Sequence, residues 1–130
     1  MDDRDSARAA AIVAALGAVD VGQGAVVQQG QCLAVEVLAG SDAMLNSVAQ
    51  LPMALRPDPA RGKGVFYKAP KPGQDLRIDL PTLGVQTVEN AAAAGLAGIA
   101  WQAGGVICLD LPAMIVAANS AGLFLWSRSP

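Results

Sequence analysis

Five charged side chains fall inside twelve residues of an otherwise apolar chain: Lys68, Lys71, Asp75, Arg77 and Asp79, within KAPKPGQDLRIDLPTLG. Ammonium groups and an arginine fork neutralise phosphate oxygens, and carboxylates hold hard divalent cations, so these are parts of a metal-assisted phosphate site. Downstream, Thr82, Gly84 and Thr87 precede or open a helix whose N-terminal amides favour anions. A plainer reading exists. Side chains alternate across a strand, so Leu76, Ile78 and Leu80 face the core while Asp75, Arg77 and Asp79 face away from it. That outer face equally suits a solvated strand whose charges pair weakly with one another. Asp75 and Asp79 would stand about 13 Å apart along an extended strand, too far for one ion bound directly at about 2 Å. Either the chain bends near Pro72-Gly73 or each aspartate has its own task, with Arg77 between them. Spacing alone leaves both readings open.

The elements that must hold these residues follow from pattern. Asp5 or Ser6 is placed to cap a helix through Leu16, with Gly17 to end it. GAVVQQ and QCLAVEVL flank Gln29-Gly30 as a hairpin. Ser41 and Asp42 sit where a cap belongs, ahead of a helix from Ala43 to Leu51. Pro52 to Gly64, with three prolines, two arginines and a lysine, is expected to be a mobile surface loop. VFYKA and LRIDL read as strands, Val85 to Ala94 as a helix closed by Gly95, and GIAWQ and VICLDL as strands. Asp110 and Pro112 open a helix to about Ala121, Gly122 ends it, and GLFLW is a last strand. This order predicts an α/β fold: a single compact domain over residues 1–130 with a mixed sheet flanked by helices.

Composition narrows the function classes. At 53% hydrophobic and 15% charged the chain can build a core. A net charge of −2 argues against non-specific nucleic-acid binding. The absence of histidine removes His-based nucleophiles, bases and zinc sites. Cys32 and Cys108 lie in apolar stretches and are expected to be buried, reduced thiols. Trp101 and Trp126 read as core or edge residues. Gly22-Gln23-Gly24 lacks the rest of a dinucleotide-binding loop. The apolar tail from Met114 to Trp126 lacks basic residues and reads as core rather than a membrane-binding segment. No apolar run has the length of a transmembrane segment, and the acidic start is unlike a signal peptide, so a cytoplasmic location is expected.

The stretch from Lys68 to Ala100 strongly resembles the C-terminal domain of the LpxI family, the UDP-2,3-diacylglucosamine pyrophosphatases of lipid A biosynthesis. The chain keeps Lys68, Lys71, Pro72, Gln74, Asp75, Arg77, Asp79, Leu80, Pro81, Gly84, Thr87 and Asn90 of the family pattern. Asp20-Val21-Gly22-Gln23 matches the family's D-x-G-Q, and Gly40-Ser41-Asp42 its G-T-D element with serine for threonine. Where the family carries basic residues after that element this chain has Asn46 and Ser47, and the segment from Arg56 to Lys63 is expected to substitute.

The resemblance implies Mg²⁺-dependent hydrolysis of the lipid substrate UDP-2,3-diacylglucosamine to UMP and 2,3-diacylglucosamine 1-phosphate. The enzyme would be cytoplasmic or peripheral to the inner leaflet of a Gram-negative envelope. Carried over by position, Asp75, Lys71 and Arg77 are the candidate catalytic residues, and Lys68, Gln74, Thr87, Asn90, Gln23 and Ser41 bind substrate. Asp75, Asp79 and Asp42 are the candidate metal ligands, with Asp20 as a further partner carboxylate. Family members place the substrate between two domains. The N-terminal domain is expected to be absent here, leaving a face open to self-association such as a homodimer. The alternative is a non-catalytic sugar-nucleotide-binding or dimerisation module that needs its partner domain.

Overall fold

Asp2, Asp3 and Asp5 crowd the first turn of α1 (Asp2–Ala18), where unpaired amides favour negative charge. The computed structural model describes residues 2–71 and 80–129. After α1 come β1 (Gly24–Gln28), β2 (Gln31–Val35), α2 (Ser41–Ala49) and β3 (Val65–Lys68). Then follow β4 (Thr82–Leu83), α3 (Val85–Ala93), β5 (Gly98–Gln102), β6 (Ile107–Cys108), α4 (Leu111–Ala121) and β7 (Phe124–Arg128). The expected strand LRIDL lies almost wholly outside the described residues.

Five strands form one mixed sheet in the order β2-β1-β3-β5-β7. β1 runs antiparallel to both neighbours, whereas β3, β5 and β7 are parallel. Alternation sends Val26, Phe66, Ile99 and Trp101 to one face, where they pack with Leu45 and Val48 of α2, Val88 of α3 and Met114 of α4. Ala25, Val27, Val65, Tyr67 and Ala100 go to the other face, against Ala9 and Val13 of α1. Three layers result, helices on both sides of the sheet, as the alternating pattern predicts.

Several boundaries differ from expectation. Asp5 and Ser6 do not cap α1; both lie inside it and are buried. The Asp5 carboxylate instead accepts from the backbone N–H groups of Gln29 at 2.9 Å and Gly30 at 2.8 Å. Those two residues have φ of 53° and 79°, the left-handed pair that a two-residue hairpin requires, and the carboxylate fastens that turn to the helix. Ser41 and Asp42 are the first residues of α2 rather than its cap, which is Gly40. VICLDL yields only the short β6, which pairs with β4 outside the main sheet. Cys32 is exposed and Cys108 half-buried, because β2 is an edge strand and β6 a surface ribbon; both are free thiols. Trp101 is core and Trp126 half-buried, with the Arg128 guanidinium 5.9 Å from its ring centroid.

The segment from Pro52 to Gly64 is pinned. It contains 3-10 turns at Met53–Leu55 and Pro59–Arg61. Arg56 donates to Gln28 Oε1 and to the carbonyls of Ala94 and Lys63, while Gln28 Nε2 donates to those of Pro57 and Gly62. A guanidinium fork shared among carbonyls supplies what prolines alone do not.

Ser6 Oγ is buried without a hydrogen-bond partner among the described residues. Ser6→Ala removes that unmet group and improves helix propensity, so it should raise unfolding free energy by about 1 kcal/mol in urea titration. Asp5→Ala strips the hairpin turn of two charge-assisted bonds and should cost about 3 kcal/mol. Equal midpoints for the two variants would contradict both assignments.

Candidate functional site

Lys68 ends β3, at the carboxyl end of the parallel strands, where open α/β sheets place their ligand sites. It is only 8% exposed. Its ammonium donates to Ser41 Oγ at 3.0 Å and to the Thr82 carbonyl at 3.0 Å, and stands 3.9 Å from Glu36 Oε2. Ser41 Oγ in turn donates to that same Glu36 oxygen. Burial pushes the ammonium below the ordinary lysine pKa, while Glu36 and then Asp42 act in the opposite sense.

Around Lys68 opens a cavity of about 350 Å³, lined among others by Gly40, Ser41, Asp42, Thr82, Gly84 and Thr87. Two helices start here. Gly40 precedes α2 and Gly84 precedes α3, both helix starts line the cavity, and neither has a side-chain N-cap among the described residues. Thr87 is buried and its Oγ1 accepts from the Gly84 N–H at 3.2 Å. On the rim, Asn90 Nδ2 donates to Asp42 Oδ1 at 2.9 Å, tying α3 to α2.

The other motif joins at the same end of the sheet. Gly24 stands opposite Lys68 in the β1–β3 register, and the Gln23 carbonyl accepts from the Ala69 N–H. Asp20 Oδ1 lies 2.6 Å from Lys71 Nζ. Asp20 reaches it because α1 closes with a left-handed residue: the N–H of Val21 donates to Leu16 and that of Asp20 to Gly17. α3 and α4 close in the same way with Gly95 and Gly122, the residues that tolerate positive φ; at α1 an aspartate with φ 61° takes that place.

Of the expected site, Lys68, Ser41, Asp42 and Thr87 share the cavity, Asn90 holds its rim, and Lys71 with Gln23 stands beside it. Gln74, Asp75, Arg77 and Asp79 lie outside the described residues. Among the described residues no three Cys, Asp or Glu side chains converge in a metal-binding group, and Asp42 is the described member of the expected ligand set. As an exposed carboxylate it offers the hard oxygen that Mg²⁺ prefers. Arg56 does not substitute for the family's basic residues, since it is spent on Gln28 and nearby carbonyls at the opposite end of β3. Pattern reading missed Glu36. Its signal was a lone acid ending the apolar run QCLAVEV.

The fold and cavity together define an α/β domain with a polar pocket, holding a buried lysine, at its strand ends. Residues 1–126 match the family model described as the LpxI C-terminal domain, and the chain belongs to that family. It is 52% identical over 115 residues to the protein of Caulobacter vibrioides named UDP-2,3-diacylglucosamine pyrophosphatase LpxI. That match covers 88% of this chain and 41% of the relative.

The buried ammonium makes a pH-dependent contribution to stability. Its folded pKa lies below the ordinary lysine value of 10.5, so between the two the unfolded chain binds more protons and stability rises with pH. Lys68→Met removes this contribution. The stability of the parent relative to the variant should therefore rise across the window below that value, read from urea midpoints at successive pH values. A difference that stays flat, or falls, would contradict the burial of a charged Lys68.

Proposed function

We propose that this chain is the motif-bearing half of a Mg²⁺-dependent pyrophosphatase that splits UDP-2,3-diacylglucosamine into UMP and 2,3-diacylglucosamine 1-phosphate in lipid A biosynthesis. The observation that carries this reading is the convergence, in one cavity, of a buried ammonium, an aspartate and two helix starts in a member of the LpxI family. Lys68 and the helix amides meet the pyrophosphate oxygens, and Lys71 and Arg77 add charge as negative charge grows on the departing phosphate. Asp75 would hold the ion with a partner carboxylate from Asp42, Asp79 or Asp20, and the ion when bound would polarise the phosphorus centre. Asp75 is the first choice among them because it follows Pro72-Gly73, residue types that favour a tight turn.

The cavity sits at the low end of ligand-site volumes, enough for a pyrophosphate and part of a nucleotide. The rest of the substrate needs another wall, which a second domain supplies; the chain spans 41% of its relative's length. Exposed apolar side chains adjoin the lining: Leu109, at 57% exposure, is part of it, Leu38, at 103%, precedes its Ala39, and Ile107 and Leu111 flank Leu109 in sequence. They suit the acyl chains of a lipid substrate, and with them a place at the inner face of a membrane. No helix among the described residues is long and apolar enough to cross one. A second reading, a sugar-nucleotide-binding or dimerisation module, is favoured by the exposure of that apolar rim.

UMP release separates the two. In the full-length protein Asp75→Ala should abolish turnover, by at least about a thousandfold, while substrate binding persists in equilibrium measurements; near-normal activity overturns the metal assignment. The 130-residue chain alone should release little UMP, because solvent weakens an unwalled electrostatic site. Turnover matching the full-length protein would show that the second wall is dispensable. Leu38→Asp should raise KM for the acylated substrate with kcat nearly unchanged; an unchanged KM removes the rim from the site.

A further inference from the structure

We propose that Glu36 is a positioning residue that acts through the Ser41 hydroxyl to hold the Lys68 ammonium charged and aimed into the cavity. The inference rests on the reading that Lys68 meets a phosphate group of the substrate.

An ammonium taken out of water tends to shed its proton unless a counter-charge stands near. Among the described residues, the charged groups that act on Lys68 are Glu36 from the end of β2 and Asp42 from the first turn of α2. Thr82 contributes only its backbone carbonyl, and Trp101, its register partner on β5, is neutral. Glu36 is the more committed of the two acids. Its side chain is 12% exposed and lies behind Ser41, and it does not line the cavity as Asp42 does. A carboxylate in the cavity would repel an anionic substrate. One set back by a hydroxyl sustains the cation without meeting the phosphate.

The chain goes to some length to place it. A Cβ on Gly22 would fall 1.9 Å from the Glu36 carbonyl oxygen, and one on Gly24 would fall 3.3 Å from Glu36 Oε2. The Glu36 N–H donates to the Gly24 carbonyl at 2.8 Å. The two glycines around Gln23 are therefore the space that lets Glu36 lie against β1. At 3.9 Å the ammonium and carboxylate are too far apart for a direct hydrogen bond, and Ser41 bridges them by accepting from one and donating to the other. With one N–H on Ser41 and one on Thr82, the third N–H of Lys68 has no partner among the described residues. It is the one left for a substrate oxygen.

The test is the pH dependence of kcat/KM for UMP release by the full-length protein. Glu36→Gln keeps shape and hydrogen bonding to Ser41 but removes the charge. It should move the alkaline limb to lower pH and cost about tenfold or more on that limb, with much of the loss recovered where Lys68 is protonated. Ser41→Ala should move the same limb in the same direction, and it decides the matter if Glu36 variants fail to fold. Glu36→Asp should restore part of the loss at high pH. Placing Glu36→Gln in a Lys68→Arg background should produce no shift, since a guanidinium stays charged. A limb unmoved by both Glu36→Gln and Ser41→Ala, in a protein that Lys68→Met inactivates, overturns the role of Glu36 and leaves the phosphate reading intact. Normal turnover in Lys68→Met overturns that reading itself, and this inference with it.

Discussion

A lysine ammonium buried at the end of the central strand is the constraint from which the functional end of this domain follows. β3 is flanked by β1 and β5, so its last residue cannot turn to open water. The charge must be met where it is, and the partners come from separate parts of the chain: a carboxylate from the end of β2, a hydroxyl from the start of α2, a carbonyl from β4. Each contact fixes an element as well as a charge. Removing one partner of such a set leaves an uncompensated buried group, which costs far more than the set contributes as a whole. The cluster therefore specifies an arrangement more than it stabilises a fold.

The bulk of stability lies elsewhere, in the two apolar layers. Phe66, Leu45, Leu83, Ile99 and Met114 are fully buried beneath three helices, and small residues such as Ala9, Ala25 and Ala100 let α1 lie close on the opposite face. At the amino end of β3, Arg56 and Gln28 secure the long connection to the sheet through backbone carbonyls. Cations at the two ends thus have opposite tasks. Arg56 is consumed by carbonyls and closes its end, whereas Lys68, with two partners among the described residues besides the more distant Glu36, lines the cavity at the other.

The layers, the mixed sheet and most elements were legible because period-2 alternation and Gly or Pro punctuation are local signals. The misses share a different origin. Asp5 has the composition of a cap, but a turn twenty-odd residues away claimed its carboxylate. Ser41 likewise has the composition of a cap, but Lys68 and Glu36 claimed its hydroxyl. Pro52 to Gly64 has the composition of a mobile loop, yet Arg56 and Gln28 pin it across some thirty residues of sequence. In every case a long-range polar partner overrode a local preference, and such partners leave no periodic trace. Within the candidate site the family motif identified Lys68, Ser41, Asp42 and Asn90, which the fold does assemble. Glu36, lacking a motif of its own, became visible only when β2 was laid beside β1.

The helix starts sort by the same logic. α4 does not line the cavity, and Asp110, itself left-handed at φ 56°, caps it with a carboxylate that accepts from the Ala113 N–H. α2 and α3 do open onto it, and each is preceded by a glycine that has no side chain to spend on the first amides. A serine or aspartate at Gly84, whose extended backbone any residue adopts, would gain only about a few tenths of a kcal/mol of helix stability, whereas the φ of 93° at Gly40 favours glycine itself. The chain forgoes that small gain at α3 and takes a side-chain cap at α4. Ser41, one residue late for a cap, is spent on Lys68 instead. The polar groups that could have satisfied the helix ends internally are withheld or redirected, and both helix starts line the cavity beside the buried Lys68.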